Sequence, residues 1–387
     1  MRIQGRRVLI AGSASSACDP GRLAYAHELV RELVRRLALE GATFVVLVGG
    51  EPRTSSDQGG HAQIFDWTIL STLHEMALQG TLNIPSPAAL VTTVVTSRTE
   101  GQIPDGRRAI WEDLKKSDCV AVLPGEWSWT SGAIRRSLLA SHADILVTLG
   151  GGEGVEHYGT LFLARSKPVI PLDLEIGSSS NDGNGGSLRV LQRVRAEPGL
   201  FFPHTAAESV NALLQTLATR QGHTATLEVA EGVVRLLQTI TPPTAFYVRL
   251  LNSKPPKFNE VERFSRKVVD PFVQNLDYTP VQMGRTPASK PFIDVQIFTG
   301  IHESTLVIAD ITAARPNCLL ELGYALALGR QVVVTAMKGT KPPFDIQSVD
   351  RFIWDPQAPF ELTLKRLHEH WEMVRTRPAL VGASRGL

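Results

Sequence analysis

Cysteine is scarce: Cys18, Cys119 and Cys318 are the only three among 387 residues. The number is odd and no CxxC pair exists. That excludes a disulfide framework and a thiolate zinc site and fits a reducing cytosol. Net charge is scarce too, with 40 basic against 38 acidic residues, a balance of +2. Arg6-Arg7 and Arg35-Arg36 are isolated pairs rather than parts of a basic run. No field draws in nucleic acid or an anionic membrane, and neither is expected as a partner. An apolar run of about eighteen residues is missing, so no membrane-spanning helix is expected. The apolar stretch within MRIQGRRVLIAGS is too short for a signal-peptide core. A cytoplasmic location is the expectation. The ten histidines show no HxxxH or HExxH spacing, and His368 and His370 fall on different helix faces. No metal site and no required cofactor are expected.

What is present has the composition of a globular protein, 43% hydrophobic and 20% charged. Its length suits two or three domains. In the first half, apolar runs at 7–11, 43–48, 90–95, 119–123, 144–149 and 168–172 read as strands. Between them lie helical patterns, the clearest over 22–39, where Leu23, Ala26, Leu29, Val30, Leu33 and Leu37 form one stripe. Continuous rather than alternating apolar strands mark a parallel sheet covered on both faces. The fold class is therefore α/β, with a doubly wound Rossmann-like sheet first. Helices over 206–217 and 227–237 close this domain. Thr241-Pro242-Pro243-Thr244 then breaks the pattern, giving domains 1–240 and 241–387. The second reads as a smaller flavodoxin-like five-stranded α/β domain, with strands at 245–251, 278–282, 305–309, 331–335 and 351–354. Helices are expected over 259–276, 294–301 and 316–328, the last closed by Gly329.

Strand ends of the first domain finish in glycine: Gly12-Ser13, Gly49-Gly50, and Gly150-Gly151-Gly152 with Gly154 behind. Glycine lets a ligand approach the backbone, and the free N–H groups of the following helix favour an anion. Gly185-Gly186 make a further candidate turn, in the polar stretch 178–187. Arg107 and Arg108 are candidates for a phosphate or for plain surface charge. These glycine ends and the segment ADILVTLGGGEGVEHYGTLFLARSKPVIPL resemble a SLOG domain, the superfamily that includes the Lonely-guy phosphoribohydrolases. The resemblance covers roughly residues 7–191. It implies a nucleotide-binding fold in which a GGxGTxxE glutamate acts on an N-glycosidic bond. Here Val155 stands in the threonine position and Tyr158 in the glutamate position. Glu156 lies two residues earlier, about 200° round the helix. The resemblance therefore points to the sensor members, which bind a nucleotide-derived signal without cleaving it.

In the second domain, the segment IADITAARPNCLLELGYALALG is the most informative. Asp310 ends a strand, Pro316 suits a first helical position, and Asn317 and Glu321 share a helix face. With the loop 252–257 they bracket the crevice where the strand order reverses. A carboxylate amid Leu319, Leu320, Leu322 and Tyr324 carries a desolvation cost that suggests use. Asp310 has a rival reading as a turn residue. Pro316-Asn317, Glu321-Leu322-Gly323-Tyr324-Ala325, Gly329 and Pro343-Phe344-Asp345 resemble the nucleoside 2-deoxyribosyltransferase-like group, relatives of Toll/interleukin-receptor-like domains. This resemblance covers about residues 245–354. It implies that Glu321 attacks or steadies the anomeric carbon while Asp310 and Asn317 hold ribose hydroxyls.

Joined, the two resemblances imply an antiphage-defence effector. Its first domain senses a nucleotide-derived ligand, such as NAD, an ADP-ribose derivative or a cyclic nucleotide. Its second is an N-glycosidase on NAD or a related nucleotide, working in a homo-oligomer. The rivals are a receptor without chemistry and a phosphoribohydrolase that uses Glu156.

Overall fold

The computed structural model describes residues 3, 6–53, 61–82, 90–117, 119–124, 131–165, 167–172, 174–178, 186–202, 212, 225–240, 243–249, 257–282, 293–328 and 330–375. The chain divides into two compact units, Met1–Thr241 and Pro242–Leu387. Among the described residues, no helix is long and apolar enough to cross a membrane.

The first unit holds strands β1 (Arg7–Ser13), β2 (Thr43–Val45), β3 (Val91–Val95), β4 (Val120–Pro124), β5 (Ile145–Gly150) and β6 (Val169–Leu172). They form one parallel sheet in the order β4-β3-β2-β1-β5-β6. Every residue of β5 is buried, as a continuous apolar run requires in a two-sided sheet. The order reverses between β1 and β5, which sets the switch point there. Helices α1 (Pro20–Leu39), α2 (Asp66–Leu78), α3 (Ser97–Gly101), α4 (Asp105–Lys116), α5 (Ser131–His142), α6 (Glu153–Leu163), α7 (Gly186–Ala196), α8 (Pro198–Phe201) and α9 (Thr226–Thr239) accompany it. At the start of α1, Asp19 accepts the Arg22 N–H at 2.9 Å and Pro20 occupies the first turn. The apolar stripe of α1 is fully buried. The strand expected over 43–48 stops at Val45. Leu47 gives its N–H to the Asp66 carboxylate at 3.3 Å, so a side chain takes the place of a ladder partner. The helix expected over 206–217 lies outside the described residues, Ala212 excepted.

The second unit holds β7 (Thr244–Val248), β8 (Thr279–Val281), β9 (Leu306–Asp310), β10 (Gln331–Met337) and β11 (Arg351–Trp354), all parallel, in the order β11-β10-β9-β7-β8. Counted within the unit this is 2-1-3-4-5, the flavodoxin-like order, with its switch point between β7 and β9. Pro280 sits on the edge strand β8, where a missing N–H is tolerated. In place of one regular helix over 259–276, α10 (Phe258–Phe264) and α11 (Asp270–Asn275) are joined by a π-helical turn, Ser265–Val269. Pro271 has no N–H to give to the carbonyl four residues back, and its ring crowds that carbonyl; a wider turn relieves both. Together with α14 (Phe360–Val374), α10 and α11 pack Val261, Phe264, Phe272, Leu367 and Trp371 against one sheet face. Phe264 lies flat on Trp354, ring centroids 4.4 Å apart. On the other face, α12 (Ile293–Glu303) and α13 (Pro316–Ala327) bury Ile301, Cys318, Leu322 and Ala325.

Candidate functional site

At the carboxyl end of β9 the backbone is strained. Ala313 and Ala314 have φ of 66° and 46°, a left-handed region that disfavours a Cβ. Such residues cost roughly 1–3 kcal/mol each and persist only where the surroundings impose them. Here the surroundings are polar and buried. Asp310 is 5% exposed; its Oδ1 accepts the Thr312 N–H at 3.0 Å, and its Oδ2 accepts Thr335 Oγ1–H at 2.8 Å and Trp354 Nε1–H at 3.0 Å. Thr312 Oγ1 in turn accepts the Met337 N–H at 2.9 Å. One carboxylate thus ties β9, β10 and β11 to the turn that launches α13. Three donors from the chain occupy it, which fits a positioning role rather than the direct grip on a sugar expected from the sequence.

Asn317 is exposed on the first turn of α13, and Glu321, one turn on, is half-buried. Among the described residues, none donates a hydrogen bond to the Glu321 carboxylate or forms an ion pair with it. Burial alone pushes its pKa up to about 7. A carboxylate that bears desolvation without a partner suits a general acid, base or nucleophile near neutral pH. Cys318 is different: burial, then the charges of Glu321 and Asp310, push its thiol up to about 12, so it is inert as a nucleophile. Arg249, at the end of β7, is held by Glu262 and by Gln282 at 3.4 Å. The loop 252–257 and Gly329 lie outside the described residues, apart from Lys257.

The first unit's crevice is built from backbone. Ser13 and Gly150 end neighbouring strands, and Gly151 donates its N–H to Ser13 O at 2.8 Å and Gly177 O at 2.7 Å. Gly12, Gly150 and Gly186 are required by the chain itself. A Cβ would stand 2.1 Å from Leu149 O, 2.6 Å from Ser13 O and 2.2 Å from Gly152 O respectively. Gly49, Gly50 and Gly154 meet nothing closer than 3.7 Å, so packing does not demand glycine there. Gly152 caps α6 without a side-chain bond. Gly185 lies outside the described residues. Glu156 is held by Arg189 at 2.8 Å. Arg107 is taken by Glu51 at 2.8 Å, and Arg108 by Asp105 at 3.0 Å.

Sequence reasoning missed Asp66. Its signal there was an acid between two aromatics, Phe65 and Trp67, at a helix start. In the structure Trp67 Nε1–H donates to Gly49 O at 2.9 Å, and Ala14 N–H to Gln63 O at 2.7 Å. These bonds pin Asp66 beside the ends of β2 and β1. Burial pushes its pKa up to about 7, although its surface is not fully sealed. Tyr158, 5% exposed on α6, has a buried hydroxyl with no hydrogen-bond partner. Burial and then the Asp66 charge raise its pKa, while Arg136 and Arg135 oppose the shift. Among the described residues, no group of three or more His, Cys, Asp or Glu could hold a metal ion.

A family model described as ATP nucleosidase Cap17-like, N-terminal, matches residues 3–236. The chain belongs to this family. Two Escherichia coli proteins named ATP nucleosidase Cap17, one from strain KTE188, are 29% identical over 233 residues. That region is 60% of this chain and 44% of each relative, so the chain spans less than half the length of the curated relatives it matches. Among solved structures, UDP-GlcNAc 2-epimerase from Methanocaldococcus jannaschii aligns over 84% of this chain and 91% of its own, at 10% identity and a TM-score of 0.23. The family match contains the whole glycine-ended crevice with Asp66 and Tyr158. It stops before the second unit, which holds Glu321.

Proposed function

We propose that this chain is a nucleotide-acting effector of antiphage defence, in which the first unit binds a nucleotide-derived signal and the second cleaves an N-glycosidic bond. The observation that carries this reading is Glu321, a half-buried carboxylate that has no partner among the described residues, at a switch point of an open parallel sheet. The resemblance of its segment to the deoxyribosyltransferase-like group and the names of the first unit's relatives both support a nucleotide as substrate.

The chemistry follows from the charge. Ionised Glu321 stabilises the oxocarbenium-like carbon as the C1′–N bond breaks, and the base leaves with the electron pair. Attack on C1′ gives a glycosyl-enzyme, and water then restores the carboxylate and leaves the free sugar. Asn317 offers its amide to a ribose hydroxyl, and Asp310 fixes the strained turn that aims the helix. NAD and ATP are both candidate substrates. Assembly into a homo-oligomer belongs to this reading, and a signal activates it only by binding the active state more tightly.

Incubating the purified chain with NAD, ATP or nucleosides and measuring free base by chromatography tests it. Release that survives Glu321→Gln moves the chemistry out of the second unit. Release abolished by that change, in a variant that unfolds as cooperatively as the parent, supports the assignment.

A further inference from the structure

Among the described residues, the first unit contains neighbouring polar groups that its own fold satisfies only in part or, for the Tyr158 hydroxyl, not at all. Asp66 is anchored beside β2 and β1, and among the described residues only backbone N–H groups reach its carboxylate. The Tyr158 hydroxyl comes from the helix after β5, within reach of the Asp66 charge, and is buried without a partner. Leaving such a hydroxyl unpaired costs about 1–3 kcal/mol, so a ligand that bonds it recovers that energy.

Across the same crevice, Arg136 lies over the first turn of α6. Its Nη1 is 3.7 Å from where a Cβ on Gly154 would stand, and its Nε–H donates to His157 Nδ1 at 3.1 Å. Among the described residues, no carboxylate lies within ion-pair distance of it. Glu156 of that turn is already held by Arg189. The guanidinium and the free N–H groups at the start of this eleven-residue helix both favour an anion between them, against the Glu153 and Glu156 charges of the same turn.

The two ends call for different ligand groups. An ionised Asp66 rejects phosphate but accepts hydrogen bonds from sugar hydroxyls, and Tyr158 can donate to one of the same oxygens. Arg136 and the helix end call for phosphate.

We propose that Asp66 and Tyr158 grip the ribose hydroxyls of a nucleoside 5′-phosphate whose phosphate lies between Arg136 and the amino end of α6. This rests on the reading of the first unit as a nucleotide receptor and names the residues and ligand class of that site.

Calorimetric titration of the full chain carrying Glu321→Gln, which spares the ligand, tests it with AMP, adenosine and 2′,3′-dideoxy-AMP. AMP is expected to bind about tenfold more tightly than the dideoxy analogue, about one hydroxyl-group contact in energy. Adding Asp66→Asn, which keeps an acceptor for the Leu47 N–H, or Tyr158→Phe, which removes a single oxygen, collapses that ratio toward one. Adding Arg136→Ala brings AMP down to the affinity of adenosine. A ratio unchanged in both the Asp66 and Tyr158 variants overturns the proposal while leaving the receptor reading intact. No binding of AMP by the parent overturns both.

Discussion

At the edge of the first sheet the chain closes on itself. Gly151 gives its N–H to Ser13 and Gly177, and Gly12 and Gly186 sit where any Cβ would strike backbone. At the edge of the second, the backbone is strained to deliver a helix whose carboxylate, Glu321, meets no donor among the described residues. Both are switch points of parallel sheets, yet their conspicuous residues mean different things. A glycine there can be a consequence of packing. A buried carboxylate that no side chain or cation among the described residues neutralises has no such explanation in packing, and Asp66, which meets only backbone N–H groups there, marks the first crevice better than its glycines do.

The sharpest way to break this comparison is kinetic. Glu321→Gln is expected to lower base release by about a thousandfold, roughly 4 kcal/mol in the barrier, whereas Asp66→Asn changes it by less than about tenfold at saturating substrate. The reverse ranking would move the chemistry to the first unit. Next is the contrast between an engaged and an unengaged carboxylate. Asp310→Ala leaves Thr335, Trp354 and the Thr312 N–H without their acceptor, and is expected to cost about 3 kcal/mol in urea unfolding.

Glu321→Gln should do the opposite, and only at high pH. Burial holds the folded carboxyl at about 7 against an ordinary value of 4.5, so the unfolded chain releases its proton first. Stability is then lost as pH rises from about 4.5 to 7. The glutamine variant should be more stable than the parent at pH 8, by on the order of 2–3 kcal/mol, and equal to it at pH 4. Asp66→Asn should behave likewise, since its carboxyl also titrates near 7. A flat pH dependence of either difference would show that carboxyl to be solvated. The smallest effect belongs to Glu156→Ala. Its bond to Arg189 is partly exposed, so a stability change below about 1 kcal/mol and unchanged base release are expected. Loss of activity there would restore the phosphoribohydrolase reading.

Much of the fold was legible in the residues because parallel strands buried on both faces must be continuously apolar. The runs at 144–149 and 305–309 became β5 and β9, and the five strands of the second unit took the flavodoxin-like order. The misses have local causes. The apolar run at 43–48 outlasts its strand because a distant side chain, Asp66, takes the Leu47 N–H. The helix over 259–276 contains a π-turn because Pro271 withholds one N–H. Glu321 and Asn317 are candidates that helix spacing and apolar neighbours single out in the sequence. The chain's hold on Asp310 was not legible, since Thr335 and Trp354 lie on other strands.

The residue pattern by itself determined two α/β units, the break at Pro242-Pro243, and a carboxylate set among leucines on a helix. Periodicity and proline act through neighbours along the chain, so they can be read without coordinates. Which carboxylates are satisfied and which are left wanting was decided only by tertiary structure. Partners such as Trp354 for Asp310, and the lack of one for Glu321 among the described residues, are matters of distance in space between residues far apart in sequence.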